Sequence, residues 1–236
     1  MKLAAILFDK DGTFADFSAT WGPAIDSVMR SLAKGDEAAY QRLATFNRFE
    51  PSTGRLYPDS PFIAQASADF AAGWARALGV SFDTDFHRMM DRLLDAAALA
   101  HVTPIGDPGA VFDRLRGRGL RLGVITNDTE AGARAQCDRL ELTARLDAII
   151  GYDSGFGRKP GPGQILAFAE RFGLVPSRMA MVGDTTHDLA AARAAGCLAI
   201  GVLSGFASRE ELAPHADLVL DGIEALPAWL NNADLP

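Results

Sequence analysis

Short, largely apolar runs that end at or near a polar residue or glycine are the feature that most constrains how this 236-residue chain can fold. The first run, residues 3–8, ends at Asp9, and similar runs recur along the second half of the sequence. The later runs are residues 120–125, 148–150, 179–182, 198–202 and a weaker one at 218–220. Such runs are typical of strands buried on both faces, so they predict a parallel sheet.

Segments with helical periodicity lie between these runs. They are residues 108–116, 129–140, 162–172 and 189–195. Alternation of strand and helix predicts an α/β fold with a doubly wound, Rossmann-like parallel sheet. Ligands bind at the carboxyl ends of the strands in such sheets, which makes Asp9, Thr126 and Asp184 the first candidates for a site.

Residues 16–103 interrupt this alternation, because they contain no comparable strand run. They predict helices at residues 23–34, 37–46, 61–78 and 83–100. Helices inserted directly after the first strand are expected to form a cap over the carboxyl edge of the sheet. The expected organisation is an α/β core domain of residues 1–15 and 104–236, with a helical cap domain of residues 16–103.

Charge and cysteine content exclude several classes of protein. The chain has 23 basic and 30 acidic residues, a net charge of -7, which argues against a cationic nucleic-acid-binding protein. Two cysteines are too few for a disulfide framework, and no apolar run reaches the ~20 residues of a membrane-spanning helix. We therefore expect a soluble, cytoplasmic monomer or homodimer with neither nucleic-acid nor membrane partners.

The sharpest motif follows the first strand and reads Asp9-Lys10-Asp11-Gly12-Thr13. If the chain stays extended, Asp9 and Asp11 face one side of it and Lys10 points away from Asp9. Paired carboxylates can bind a hard cation or act as nucleophile and general acid–base, and Gly12 lets the backbone turn closely around a bound group. A polar turn that merely ends the strand is the alternative.

Further candidate residues follow later strands. Asp184 and Asp188 are four residues apart, so one helical turn would place them on one face as ligands for Mg²⁺, although capping of a helix would also favour them. Thr126 and Lys159 carry the hydroxyl and the ammonium that suit a phosphoryl group. A solvated surface position is the alternative for Lys159.

In this order, the motifs resemble those of the haloacid dehalogenase superfamily. Residues 8–13 resemble its first motif, 125–127 its second, 159–160 its third and 183–188 its fourth. Within the superfamily, the chain looks most like the phosphoglycolate phosphatase group, whose members carry a C1 cap. The resemblance implies a phosphatase that acts on a small phosphorylated metabolite similar to 2-phosphoglycolate.

The resemblance also implies a role for each motif residue. Asp9 would be the nucleophile that forms an aspartyl-phosphate, and Asp11 the general acid and then the base. The groups implied to hold the phosphoryl oxygens belong to Gly12, Thr126, Asn127 and Lys159. The groups implied to bind Mg²⁺ are Asp9, the main-chain carbonyl of Asp11, Asp184 and, in support, Asp188.

Other functions stay open at this point. A phosphosugar mutase of the β-phosphoglucomutase type and a pyrophosphatase would share Asp9 and Asp11, and a catalytically silent binding module is a third alternative. A dehalogenase is disfavoured, because that branch lacks the second aspartate of the first motif. In the cap, Arg55 is a candidate to contact the non-phosphate end of the substrate, with a solvated surface position as the alternative.

Overall fold

The structure is a computed structural model that describes residues 3–63 and 65–232. The contacts divide the chain between Asp16 and Phe17 and again between Thr103 and Pro104. Of the described residues, 3–16 and 104–232 form an α/β unit, and 17–63 and 65–103 form a helical unit. The predicted domain limits at residues 1 and 236 lie outside the described residues.

The strands and helices are numbered in chain order. The strands are β1 (Ala5–Phe8), β2 (Phe49–Glu50), β3 (Arg55–Leu56), β4 (Arg121–Ile125), β5 (Ala148–Ile150), β6 (Met179–Gly183), β7 (Leu198–Val202) and β8 (Leu218–Leu220). The helices are α1 (Phe17–Ala33), α2 (Glu37–Phe46), α3 (Ser67–Leu78), α4 (Thr84–His101), α5 (Pro108–Arg116), α6 (Glu130–Arg139), α7 (Gly163–Phe172), α8 (Thr186–Ala195), α9 (Arg209–Leu212) and α10 (Leu226–Asn232).

The α/β unit is built on one six-stranded parallel sheet in the order β5-β4-β1-β6-β7-β8. From β1, the chain adds β4 and β5 on one side and then β6, β7 and β8 on the other. The direction of winding therefore reverses between β1 and β6, and the crevice at such a reversal is where doubly wound sheets bind ligands. The predicted α/β fold is confirmed.

Burial explains why the strands read as continuous apolar runs. Every residue of β1 is fully buried, and every residue of β6 is buried as well. A side chain at Gly123 in β4 would overlap the ring of Phe168 from α7, so glycine lets this helix pack directly on the sheet. Cys137 and Cys197 are also buried, and burial raises the pKa of both thiols to about 12.

The helical unit contains α1 to α4 and the short hairpin β2–β3. Two of its helices differ from prediction: α1 begins at Phe17 rather than Pro23, and α3 begins at Ser67 rather than residue 61. Pro23 lies inside α1, whose first turns bury Phe17 and Trp21, so packing extends the helix on both sides of the proline. Pro23 therefore does not mark the start of this helix, although proline is common at the first position of helices.

The insertion leaves and re-enters the α/β unit at adjacent points. Ala15 forms a β-bridge with Pro104, and the carbonyl of Phe14 accepts a hydrogen bond of 2.9 Å from the N–H of Ile105. The turn after β1 is therefore tied to the segment that leads into α5. Among residues 3–63 and 65–232, no helix combines the length and the apolar composition needed to cross a membrane.

Candidate active site

The first motif forms a tight turn at the carboxyl end of β1. The N–H of Asp9 still donates to Val182 of the neighbouring β6, at 2.8 Å. The carbonyl of Lys10 then accepts hydrogen bonds from the N–H groups of Thr13, Phe14 and Ala15. The condition under which Asp9 and Asp11 would face one side, an extended chain through Asp11, is therefore not met, because the chain turns at Lys10 so that its carbonyl can accept these three hydrogen bonds.

Four buried side chains meet at the reversal between β1 and β6, and we call them the Lys159 cluster: Asp9, Lys159, Asp184 and Asp188. The ammonium of Lys159 donates to Asp9 Oδ1 at 2.5 Å and to Asp188 Oδ1 at 2.6 Å. Carboxylate oxygens of Asp9, Asp184 and Asp188 all lie within 4.8 Å of one another. Residues from three motifs thus lie together, although Asp9 and Lys159 are 150 positions apart in the sequence.

Burial and nearby negative charge raise the pKa of two acids of the Lys159 cluster, Asp9 and Asp184. Burial raises the pKa of Asp9 to about 6, although the charge of Lys159 opposes this shift. Burial also raises the pKa of Asp184 well above its ordinary value, and the neighbouring Asp9 and Asp188 add to that effect. Burial lowers the pKa of Lys159, but its two carboxylate partners outweigh burial and hold the net pKa above the usual lysine value.

The donor set of the Lys159 cluster fits a hard divalent cation. Three carboxylates and one ammonium carry a net charge of -2 when all are ionised. Buried charge of this kind is costly unless it is compensated, and Mg²⁺ prefers carboxylate oxygens. Three of the predicted metal ligands, Asp9, Asp184 and Asp188, lie together in this cluster. The side chain of Asp11 instead pairs with Lys10.

Glycines surround the carboxylate of Asp184. A Cβ at Gly12, whose φ is +80°, or at Gly205, which follows β7, would overlap this carboxylate. The hydroxyl of Thr13 donates to Asp184 Oδ1 at 3.3 Å. Ser204, beside Gly205, donates to the carbonyl of Gly12 at 2.7 Å, which ties the two glycine turns together. The absence of a side chain at these two glycines thus lets both turns approach the carboxylate of Asp184 closely.

Asp188 has the capping role that the sequence offered as an alternative, and it also belongs to the cluster. Its Oδ2 accepts hydrogen bonds from the N–H and the hydroxyl of Thr185 at 3.0 and 2.7 Å, which caps α8. Its Oδ1 accepts from Lys159. Because the two oxygens face different partners, the helix cap fixes the carboxylate that holds the lysine.

Asn127 positions the loop that carries Lys159. Its side-chain amide accepts from the N–H of Lys159 at 2.9 Å and donates to the carbonyl of Lys159 at 3.0 Å. This side chain therefore holds the lysine backbone from both sides, a role that the phosphoryl-binding prediction did not include. Thr126 is buried at the end of β4, where its hydroxyl accepts from the N–H of Asp128 at 3.0 Å.

A second group, which we call the Lys10 cluster, consists of the buried Lys10 and Gln136 with the partly buried Asp11 and Asp128. The ammonium of Lys10 is fully buried and pairs with Asp11 Oδ2, with Asp128 Oδ2 at 3.0 Å and with Gln136 Oε1 at 2.8 Å. Burial raises the pKa of Asp11 to about 7, against the opposing charge of Lys10. The ammonium of Lys10 therefore contacts the carboxylate of Asp11 directly.

Arg55 is the predicted site residue that lies in the other unit. It begins β3 of the short hairpin, where it is paired with Glu50, and its side chain is exposed. Its contact with a substrate stays a prediction.

Sequence analysis did not identify several residues that lie around the site. Asp128 follows Thr126 and Asn127 directly, and Gly205 follows the polar end of β7, so the carboxyl-end rule that selected Asp184 could have selected both. Gln136 lies inside α6, where a single sequence offers no signal that separates it from an ordinary helix residue.

Comparison with known proteins agrees with this geometry. Residues 3–196 match the haloacid dehalogenase-like hydrolase family. A phosphoglycolate phosphatase of Rhodospirillum rubrum is 32% identical over 235 residues, which cover 96% of this chain and 90% of that protein. That of Escherichia coli K12 is 26% identical, over 96% of this chain and 92% of its own length.

The fold is also found in a solved structure. The crystal structure of a HAD phosphatase from Thermococcus onnurineus matches all of this chain and all of its own, with a TM-score of 0.69 at 22% identity. The extent of the family match and the 32% identity over nearly the whole chain settle the assignment. The protein is a member of the haloacid dehalogenase-like hydrolase family.

Proposed function

We propose that the protein is a Mg²⁺-dependent phosphatase that hydrolyses a small phosphomonoester through an aspartyl-phosphate on Asp9. The observation that carries this proposal is the Lys159 cluster, in which a buried carboxylate is held by an ammonium beside two further carboxylates. A nucleophilic carboxylate, a cation site and a fixed positive charge are the groups that phosphoryl transfer requires.

In the first step, a carboxylate oxygen of Asp9 forms a bond to phosphorus while the bond from phosphorus to the ester oxygen breaks. The leaving oxygen takes a proton from the carboxyl group of Asp11. Lys159 supports this step, because in the described part of the chain its ammonium makes two hydrogen bonds and retains one N–H for a phosphoryl oxygen.

In the second step, a water molecule attacks the phosphorus of the aspartyl-phosphate. Asp11, now ionised, takes a proton from that water as the bond between phosphorus and Asp9 breaks. Inorganic phosphate leaves, and both carboxyl groups return to their starting states. A pKa of about 7 suits Asp11 to this exchange, since an acid–base group works best when it gains and loses its proton near the working pH.

Asp9, Asp184 and Asp188 are the side chains that would hold the metal ion, and the main-chain carbonyl of Asp11 stays a predicted further ligand. When bound, Mg²⁺ would offset the repulsion between the anionic nucleophile and the anionic substrate. Gly12 and Thr126 stay predicted contacts of the phosphoryl oxygens.

We propose 2-phosphoglycolate as the first substrate to test, because relatives that share up to 32% identity with the chain are phosphoglycolate phosphatases. The direct experiment measures phosphate release from 2-phosphoglycolate and from p-nitrophenyl phosphate, with Mg²⁺ and with EDTA. We expect both esters to be hydrolysed with Mg²⁺ and neither with EDTA. Undiminished turnover in EDTA would overturn the metal-dependent mechanism.

A panel of phosphorylated metabolites assayed in the same way tests the substrate separately. A much higher kcat/KM for another ester would replace 2-phosphoglycolate and leave the chemistry intact. Formation of glucose 6-phosphate from glucose 1-phosphate would instead identify a mutase.

A further inference from the structure

The contacts of Lys10 are unusual for a lysine, since its ammonium is fully buried among polar side chains of the protein. It donates hydrogen bonds to Asp11 Oδ2 and to Gln136 Oε1, and it forms an ion pair with Asp128 Oδ2 at 3.0 Å. With three partners inside the protein, this ammonium acts on the reaction through them rather than by contact with a substrate.

The partners of Lys10 lie on separate elements. Gln136 belongs to α6 and is fully buried. Asp128 lies between β4 and α6, and its backbone N–H donates to the hydroxyl of Thr126 at 3.0 Å. Lys10 is thus fixed from the side of α6 and from the loop after β4, and it transmits that fixed position to Asp11.

The two carboxylate oxygens of Asp11 are in different situations. Oδ2 accepts from Lys10, whereas Oδ1 is buried and has no hydrogen-bond partner in the described part of the chain. A neutral carboxyl group has one hydroxyl oxygen and one oxygen that only accepts. Because Lys10 can only donate, it selects Oδ2 as the accepting oxygen and leaves Oδ1 to carry the proton.

We propose that Lys10 is a positioning residue that fixes Asp11 so that Oδ1 is the oxygen that exchanges protons with the substrate and water. This inference rests on the proposed phosphatase function. The proton on Oδ1 passes to the ester oxygen as its bond to phosphorus breaks, and Oδ1 later takes a proton from the attacking water. Lys10 keeps its own protons throughout and donates to Oδ2 in both steps.

The dependence of kcat/KM on the leaving group distinguishes a role of Lys10 in positioning Asp11 from a role in stabilising the fold alone. Phenyl phosphate releases phenol, a much weaker acid than p-nitrophenol, so its hydrolysis depends far more on a proton from Asp11. The value of kcat/KM includes only the steps up to departure of the alcohol, so it reports this proton transfer without the later hydrolysis of the intermediate.

The test compares kcat/KM of Lys10→Met and wild-type protein on phenyl phosphate and p-nitrophenyl phosphate, both with saturating Mg²⁺. We expect a decrease of about 100-fold on phenyl phosphate and less than about 5-fold on p-nitrophenyl phosphate, because a misplaced general acid harms the poor leaving group most. Competitive inhibition by inorganic phosphate should stay within about twofold of wild type. Lys34→Met, which removes an exposed lysine, is the matched control and should change neither rate.

Gln136→Met gives an independent test that keeps Lys10 in place. It removes the acceptor on α6 while preserving side-chain length, and it should lower kcat/KM on phenyl phosphate by about 10-fold with little effect on p-nitrophenyl phosphate. Equal losses on the two esters in the folded variants would overturn the proposal, as would the absence of any loss. A wild-type protein that releases no phosphate would overturn the proposed function itself, whereas the role of Lys10 is decided by the ratio between the two esters.

Discussion

Lys10 and Lys159, the two lysines that are buried in the described part of the α/β unit, have different partners. In the Lys159 cluster, one ammonium pairs with two of three neighbouring carboxylates, and the ionised acids keep a net negative charge that a divalent cation can neutralise. In the Lys10 cluster, one fully buried ammonium contacts two carboxylates and an amide. The same residue type at the same depth therefore leaves one site open to ligands and makes the other a rigid support.

Asp9→Asn should have the largest effect, because it removes the carboxylate that we assign as the nucleophile. We expect kcat to fall by about 10⁴-fold or more on every phosphomonoester, whatever the leaving group. Initial rates and circular dichroism would check activity and folding together. Asp221→Asn, which alters an exposed aspartate of the same unit, is the control.

Asp11→Asn should have the next largest effect on the rate, and unlike the effect of Asp9→Asn it should depend on the leaving group. An amide cannot supply or take the proton, so we expect a decrease of about 10²- to 10⁴-fold in kcat with the fold intact. The loss in kcat/KM should be greater on phenyl phosphate than on p-nitrophenyl phosphate. A near-normal rate on both esters would remove Asp11 as the acid–base group.

Lys159→Met should separate the two lysines directly. Its ammonium contacts Asp9 and Asp188, so its loss should lower kcat/KM by about 10²-fold to the same extent on phenyl and p-nitrophenyl phosphate. Lys10→Met should instead change the ratio between these esters. If both lysine variants shifted that ratio equally, the distinction between the clusters would be wrong.

Stabilisation by Mg²⁺ should grow as the pH rises. Burial places the pKa of Asp9 at about 6 in the folded protein, above the ordinary 3.8, and raises the pKa of Asp184 as well. The folded state then binds more protons than the unfolded state, so these groups make the metal-free protein less stable as the pH rises through this range.

Protons and Mg²⁺ compete for the same carboxylates. We expect Mg²⁺ to raise Tm by several degrees at about pH 7.5 and by almost nothing at about pH 5. Thermal unfolding with Mg²⁺ and with EDTA at both pH values would measure the difference. The same increment in Asp184→Asn as in wild type would show that the ion binds elsewhere.

Gly205→Ala should give the smallest effect of this series. The added methyl group would overlap the carboxylate of Asp184, so we expect Mg²⁺ affinity to weaken by about 10-fold while the ratio between the two aryl esters stays unchanged. Titration of activity with Mg²⁺ gives the affinity. Gly109→Ala in α5, where a methyl group meets only ordinary contacts, is the control.

The sheet was predictable from the sequence because burial on both faces leaves an unambiguous signal. The bounds of β5, β7 and β8 match the predicted runs, and β4 and β6 differ from them by one residue. The hairpin β2–β3 was not predicted, since two strands of two residues each offer no periodicity. Helix starts were harder to predict wherever tertiary packing extended a helix, as at Phe17.

The members of the Lys159 cluster were predictable because each follows a strand or lies in a motif with a clear spacing. The position of Lys10 was not, because its side chain depends on where the strand ends. The carbonyl of Lys10 accepts three amides, which turns the chain and brings the ammonium to Asp11. These backbone hydrogen bonds decide whether the chain continues as a strand or turns after Asp9, and they cannot be read from the residue types.

The burial of both thiols has a practical consequence for labelling. Cys137 and Cys197 are inaccessible, and their pKa values of about 12 leave almost no thiolate at neutral pH. A cysteine introduced at an exposed position such as Arg55 would therefore react with a maleimide dye far faster than either native thiol. A site-specific fluorescent reporter on the helical unit can be made in the native background, without first removing any cysteine.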